Sequence, residues 1–131
     1  MDRTGERAAA MKLLYEWEMG GAGGAETRRG LLEIPSEDAE TQYMEDLVSG
    51  VVADVAGLDR AIEKYLVGWT LERVSKVDLS ILRIGAYEIL HQTVPPGVAV
   101  NEAVELSRAY STDKSGAFIN GVLGNLLRGE M

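Results

Sequence analysis

A chain of 131 residues with no cysteine and one histidine excludes a disulfide framework, a thiolate or Cys/His metal cluster and a cysteine nucleophile. Its 21 acidic against 13 basic residues leave a net charge of −8, which argues against a protein that grips nucleic acid by bulk electrostatics. Any RNA or DNA role must therefore be local or shared with a basic partner. The length suits one domain over residues 1–131, with a core large enough to need no staples. No apolar run approaches the roughly 20 residues of a membrane span. The opening MDRTGERAAAMK lacks the apolar stretch of a signal peptide, so a cytoplasmic protein without a membrane is expected.

Thr4 to Met19 reads as a first helix, with Ala10, Leu13, Leu14 and Trp17 on its apolar face. Arg7, Met11 and Tyr15 follow one another at i, i+4 spacing, so a cation and an aromatic ring share one edge. GGAGG at Gly20–Gly24 fits neither the P-loop nor the dinucleotide pattern and reads as linker. Arg28–Ile34 suits a short helix that Pro35 ends. Ser36 then caps a longer helix in which Met44, Leu47, Val48, Val51, Val52 and Val55 recur at three and four. Gly57 is expected to interrupt it, with Asp59 capping a segment where Leu58, Ile62, Tyr65, Leu66 and Trp69 keep the rhythm.

The stretch from Val74 to Gln92 is the strut of the chain. At about 100° per residue, Ser80, Arg83, Tyr87, Glu88 and His91 gather into one stripe, and apolar residues occupy the rest. A helix so apolar must lie inside a bundle of others. Ser75 and Asp78 have capping-box spacing at its start, and Pro95-Pro96 stops it. Beyond that turn, Val100, Ala103, Val104 and Ser107 line one helix. After the loop STDKS, with Asp113 or Ser115 placed to cap, Phe118, Ile119, Val122, Leu123, Leu126 and Leu127 line the last. Gly121 and Gly124 would let that helix approach a neighbour closely, offsetting about 1 kcal/mol of lost propensity at each. Asn101 and Asn120 follow apolar residues and are expected to be buried amides that tie helices together. Nothing alternates with period two, so the fold class is all-α, with about seven helices.

Catalytic chemistry finds no residues. His91 lies on the polar stripe, where a rim histidine is the ordinary case. The carboxylates fall on solvated faces, so the chain is read as a binding protein with no cofactor and no metal.

WTLERVSKVDLSILRIGAYEIL at Trp69–Leu90 and VPPGVAVNEAVELSRAYSTDKSGAFINGVLGNL at Val94–Leu126 resemble the NusB family of transcription antitermination factors. Fainter echoes, LLYEWE at Leu13–Glu18 and LVSGVV at Leu47–Val52, occur in the same order. The resemblance implies an all-helical domain of two small packed bundles without catalysis. It also implies binding to the boxA element of ribosomal RNA transcripts together with NusE, a basic small-subunit ribosomal protein, within an RNA polymerase antitermination complex.

The resemblance further implies RNA contacts from the N-terminus, the first helix and the loop before the last helix. These fall on Arg3, Arg7, Lys12 and Tyr15, and on Lys114 and Ser115. Tyr15 would stack on an unpaired base and the cations would meet phosphates. The family often carries an arginine run before the first helix, whereas this chain has Arg3-Thr4-Gly5-Glu6-Arg7. Asp78, at the edge of the central helix, is the implied contact for NusE. Three alternatives stay open. One is an RNA-binding domain like that of ribosomal RNA cytosine methyltransferases, although no α/β domain follows here. The others are a protein-interaction module that has lost RNA binding, and a homodimer that hides the RNA surface.

Overall fold

A computed structural model describes residues 2–20 and 41–129. Among these residues the protein has six α-helices and a 3-10 turn, with no strand: α1 (Arg3–Glu18), α2 (Gln42–Ala53), α3 (Val55–Glu63), the 3-10 turn Leu71–Arg73, α4 (Lys76–His91), α5 (Pro96–Tyr110) and α6 (Ser115–Gly129). The short helix expected over Arg28–Ile34 and the Ser36 cap lie outside the described residues. No described helix is long and apolar enough to cross a membrane.

The helices start where local chemistry favours it. Asp2 accepts the Gly5 amide at 2.7 Å to begin α1, and Ser75 accepts the Asp78 amide at 3.2 Å to begin α4. Pro96 occupies the first position of α5, where its missing N–H costs nothing. At the other end of α4, Gln92 takes a left-handed conformation (φ 53°) that stops the helix.

Helix α4 packs against each of the other five helices. With α1 and α2 it forms one group, and with α5 and α6 another, so the two small bundles share their central strut. Ile81, Leu82 and Ala86 have no exposed surface, and one continuous core runs from Leu13 and Leu14 through Met44, Leu47 and Ile62 to Ile119 and Leu123. Each such side chain contributes roughly 1.5–3 kcal/mol on leaving water. Part of the polar stripe of α4 is covered too, since Ser80, Arg83 and Glu88 are buried.

Several expectations change. The break between α2 and α3 falls at Asp54, and Gly57 lies inside α3. Asp59 makes no cap but holds Arg83 from beneath, accepting Nε at 2.9 Å and Nη2 at 2.8 Å. Trp69 is not core: α3 ends at Glu63, and the ring lies 53% exposed beyond it. A Cβ on Gly121 would meet open space and one on Gly124 only the Arg128 side chain, so neither glycine serves a close approach. That role belongs to Gly85, on α4, where a Cβ would collide with Leu123 of α6. Asn101 and Asn120 are exposed rather than buried, and both line a groove between α5 and α6.

Candidate functional site

Three buried polar side chains, Asp78, Arg83 and Glu88, follow each other along α4 at steps of five residues. A five-residue step turns a helix by about 140°, so the three face different neighbours. Arg83 reaches Asp59 of α3 and Glu18 of α1, the latter at 3.0 Å. Burial works against the Arg83 charge, but these carboxylates outweigh it and raise its pKa above the ordinary value.

Glu88 joins α4 to α1 and α2. Arg7 Nε donates to both Glu88 oxygens at 3.1 Å, and Nη2 lies 3.0 Å from Oε2. Glu102 of α5 stands 3.7 Å from Arg7 Nη1. The Tyr43 hydroxyl donates to Glu88 and lies 3.1 Å from Thr93 Oγ1. Burial, reinforced by the neighbouring carboxylate, raises the Tyr43 pKa. Burial disfavours the Arg7 charge as well, yet Glu88 holds its pKa above the usual arginine value.

Arg7 is therefore not the rim cation that its spacing with Tyr15 suggested. It is 2% exposed and committed to Glu88, and its role is to fasten α1 to α4.

Asp78 and Ser115, expected to face a protein and an RNA respectively, meet each other. Asp78 Oδ1 accepts from Ser111 Oγ at 2.6 Å, and Oδ2 accepts from Ser115 Oγ at 2.9 Å. Thr112 Oγ1 lies 2.9 Å from Ser115 Oγ. Both carboxylate oxygens are thus occupied under the α5–α6 loop. Asp78 fixes that loop, and Ser115 holds the start of α6 instead of offering its hydroxyl to solvent.

What remains open lies along α1 and the end of α5. The two helices run side by side in the same direction, since Thr4 meets Glu102 and Lys12 meets Tyr110. Lys12 Nζ sits 4.7 Å from the centre of the Tyr110 ring. Tyr15, one turn further on, is 38% exposed and Tyr110 is 43% exposed. Tyr110 is the last residue of α5, so the exposed Lys114 follows it within the same short loop. Arg3 is exposed at the far end of α1, about 18 Å from Tyr15 by helix rise, with its guanidinium 3.9 Å from the Tyr43 ring centre.

The fold thus sets Lys12 on the Tyr110 ring, with the exposed Tyr15 a turn further along α1 and the exposed Lys114 in the loop that follows Tyr110, and leaves Arg3 apart. Tyr110 escaped the sequence reading because it prolongs the apolar stripe through Ala103 and Ser107. Its one local signal is its place beside a polar loop. Cations beside half-exposed rings can meet phosphates and stack bases. Among the described residues no group of three or more acidic, histidine or cysteine side chains is placed to hold a metal. His91 is exposed and stacks on Tyr87 with ring centres 4.3 Å apart.

The model of the NusB family matches residues 4–128. The chain belongs to the NusB family. Transcription antitermination protein NusB of Ruminiclostridium cellulolyticum is 43% identical over 133 residues, covering 100% of this chain and 92% of that protein. The protein of the same name from Clostridium novyi is 41% identical, covering 98% and 99%. Among solved structures, antitermination factors NusB and NusE in complex with dsRNA give a TM-score of 0.83 at 30% identity, covering 97% of this chain and 96% of the matched one. NusB of Aquifex aeolicus in solution gives 0.79 at 31% identity, covering 96% and 87%. These NusB relatives are named for antitermination and not for a reaction.

Proposed function

We propose that this chain is a transcription antitermination factor. It binds the boxA element of ribosomal RNA transcripts together with NusE and helps RNA polymerase read through terminators, acting in the cytoplasm as a single domain without catalysis. Family membership over residues 4–128 and the likeness to a NusB–NusE–dsRNA complex support this reading. The observation that carries it is the pairing of Lys12 with the half-exposed Tyr110 ring. In this strip the rings offer faces to unpaired bases and the cations meet the backbone. Arg3, with its guanidinium over the Tyr43 ring, would meet RNA only apart from this strip. Arg7, Asp78 and Ser115 act one step back, by holding α1 and the α5–α6 loop in place.

The strip holds few cations on a chain of net charge −8, so RNA binding is shared with the basic partner. The test is binding to a boxA RNA and a scrambled control, with and without NusE, at two salt concentrations. Tight, sequence-dependent binding is expected with NusE present. Lys12→Ala should lower the salt slope by about one, and Tyr15→Ala with Tyr110→Ala should weaken binding by roughly tenfold or more. No preference for boxA in either state would overturn the proposal.

A further inference from the structure

The Lys12–Tyr110 strip accounts for holding RNA but not for choosing a sequence. A cation on a phosphate and a ring on a base face are both sequence-tolerant contacts, and sequence is read where polar groups meet base edges. Tyr110 turns toward α1, whereas the opposite side of α5 borders an open groove of about 640 Å³. Asn101, Val104, Glu105 and Arg108 line this groove from one stripe of α5, and Ala117 and Asn120 line it from α6. Strip and groove both end at the α5–α6 loop, where Tyr110 enters, Asp113 lines the groove and Lys114 follows.

Both asparagines are exposed, and among the described residues neither has a hydrogen bond through its side chain. Ser80 and Ser107, by contrast, return their hydroxyls to their own helices. Asparagine is a poor helix former that serves a fold at caps, in turns or as a buried tie. Asn101 and Asn120 are neither at a helix end nor buried, so the fold gains nothing from the two amides that share one groove.

A carboxamide sets a donor beside an acceptor, an arrangement that base edges also present and that asparagine engages with two hydrogen bonds. Val104 and Ala117 add apolar surface for a ring. The nearby charges disfavour a phosphate, because Arg108 is paired with Glu105 and Asp113 adds a second carboxylate. A neutral, planar group with polar edges suits the groove. We propose that the α5–α6 groove takes unpaired bases of the RNA, with Asn101 and Asn120 hydrogen-bonding their edges and making the binding sequence-dependent. This rests on the reading that the chain binds RNA. Asn101 lies about 14 Å from Tyr110 by helix rise, so a single strand of a few nucleotides spans strip and groove.

The test compares the native chain with Asn101→Ala combined with Asn120→Ala, NusE present, on a boxA RNA and a scrambled control. The double variant should bind boxA RNA tenfold or more weakly and the control unchanged, so the ratio between them falls. Lys12→Ala should instead weaken both RNAs alike. Thermal unfolding checks the fold, which alanines at two exposed helical positions should leave intact. In nitrogen-edited spectra of the native chain, the side-chain amide signals of both asparagines should move with boxA RNA more than with the control. NusE affinity without RNA should be the same in the variant and the native chain. An unchanged ratio, whether both affinities fall or neither does, overturns the inference and leaves the antitermination reading intact. Loss of NusE binding with the ratio kept would assign the groove to a protein segment and also overturn it. A native chain with no preference for boxA, with or without NusE, overturns both readings.

Discussion

Arg7 and Glu88 meet with both side chains withdrawn from water, and Tyr43 donates to the same carboxylate. Such a pair is worth little relative to a well-packed apolar pair, but removing one partner strands the other's charge. Glu88→Gln should therefore cost about 2–4 kcal/mol of stability in urea unfolding, with Glu102 at 3.7 Å offering only partial relief. The exposed Arg60→Ala, which removes a cation from the surface of α3, should change stability by no more than about 0.5 kcal/mol. Equal losses in the two variants would show that Glu88 is not a buried anchor. The same residues show why the site was only partly legible. Lys12, Tyr15 and Lys114 were candidates through the family resemblance alone, because a cation or ring on a polar face or loop reads just as well as a solvated side chain. Arg7 read equally well as a rim cation, because nothing within a turn of α1 announces a carboxylate on α4.

At the scale of elements, glycine spacing along α6 pointed to the wrong contact. Gly121 and Gly124 suggested a close helix crossing, whereas the approach is made at Gly85, where Leu123 of α6 rests on α4. Gly85→Ala should lower stability by about 1–3 kcal/mol through overpacking. Gly121→Ala, facing open space in a helix, should raise it by about 0.5–1 kcal/mol. Thermal unfolding of both variants checks this, and the opposite order would reverse the assignment of the crossing. The caps and the apolar faces of α1, α4, α5 and α6 were legible, because they are written within one or two turns of chain. The end of α3 was not: the apolar rhythm runs on through Leu66 to Trp69, while the helix stops at Glu63. Leu66 still reaches the core from a turn, and Trp69 is left outside.

For the molecule as a whole, a net charge of −8 would make association with the proposed basic partner an electrostatically steered encounter. The association rate with NusE should fall steeply, by tenfold or more, between low and physiological ionic strength, while the dissociation rate changes little. Stopped-flow mixing at several salt concentrations measures this, and a salt-independent association rate would remove the role proposed for the acidic surface. What the sequence by itself determined is the all-helical class, the central place of α4 and the family, because apolar periodicity, caps and motifs are local properties of the chain. Only the tertiary structure decided which polar side chains are free to bind. A side chain's availability depends on a partner far away in sequence, 81 residues for Arg7 and Glu88. Lys12 finds a ring on α5 and stays near the surface, whereas Arg7 finds a buried carboxylate on α4 and leaves it.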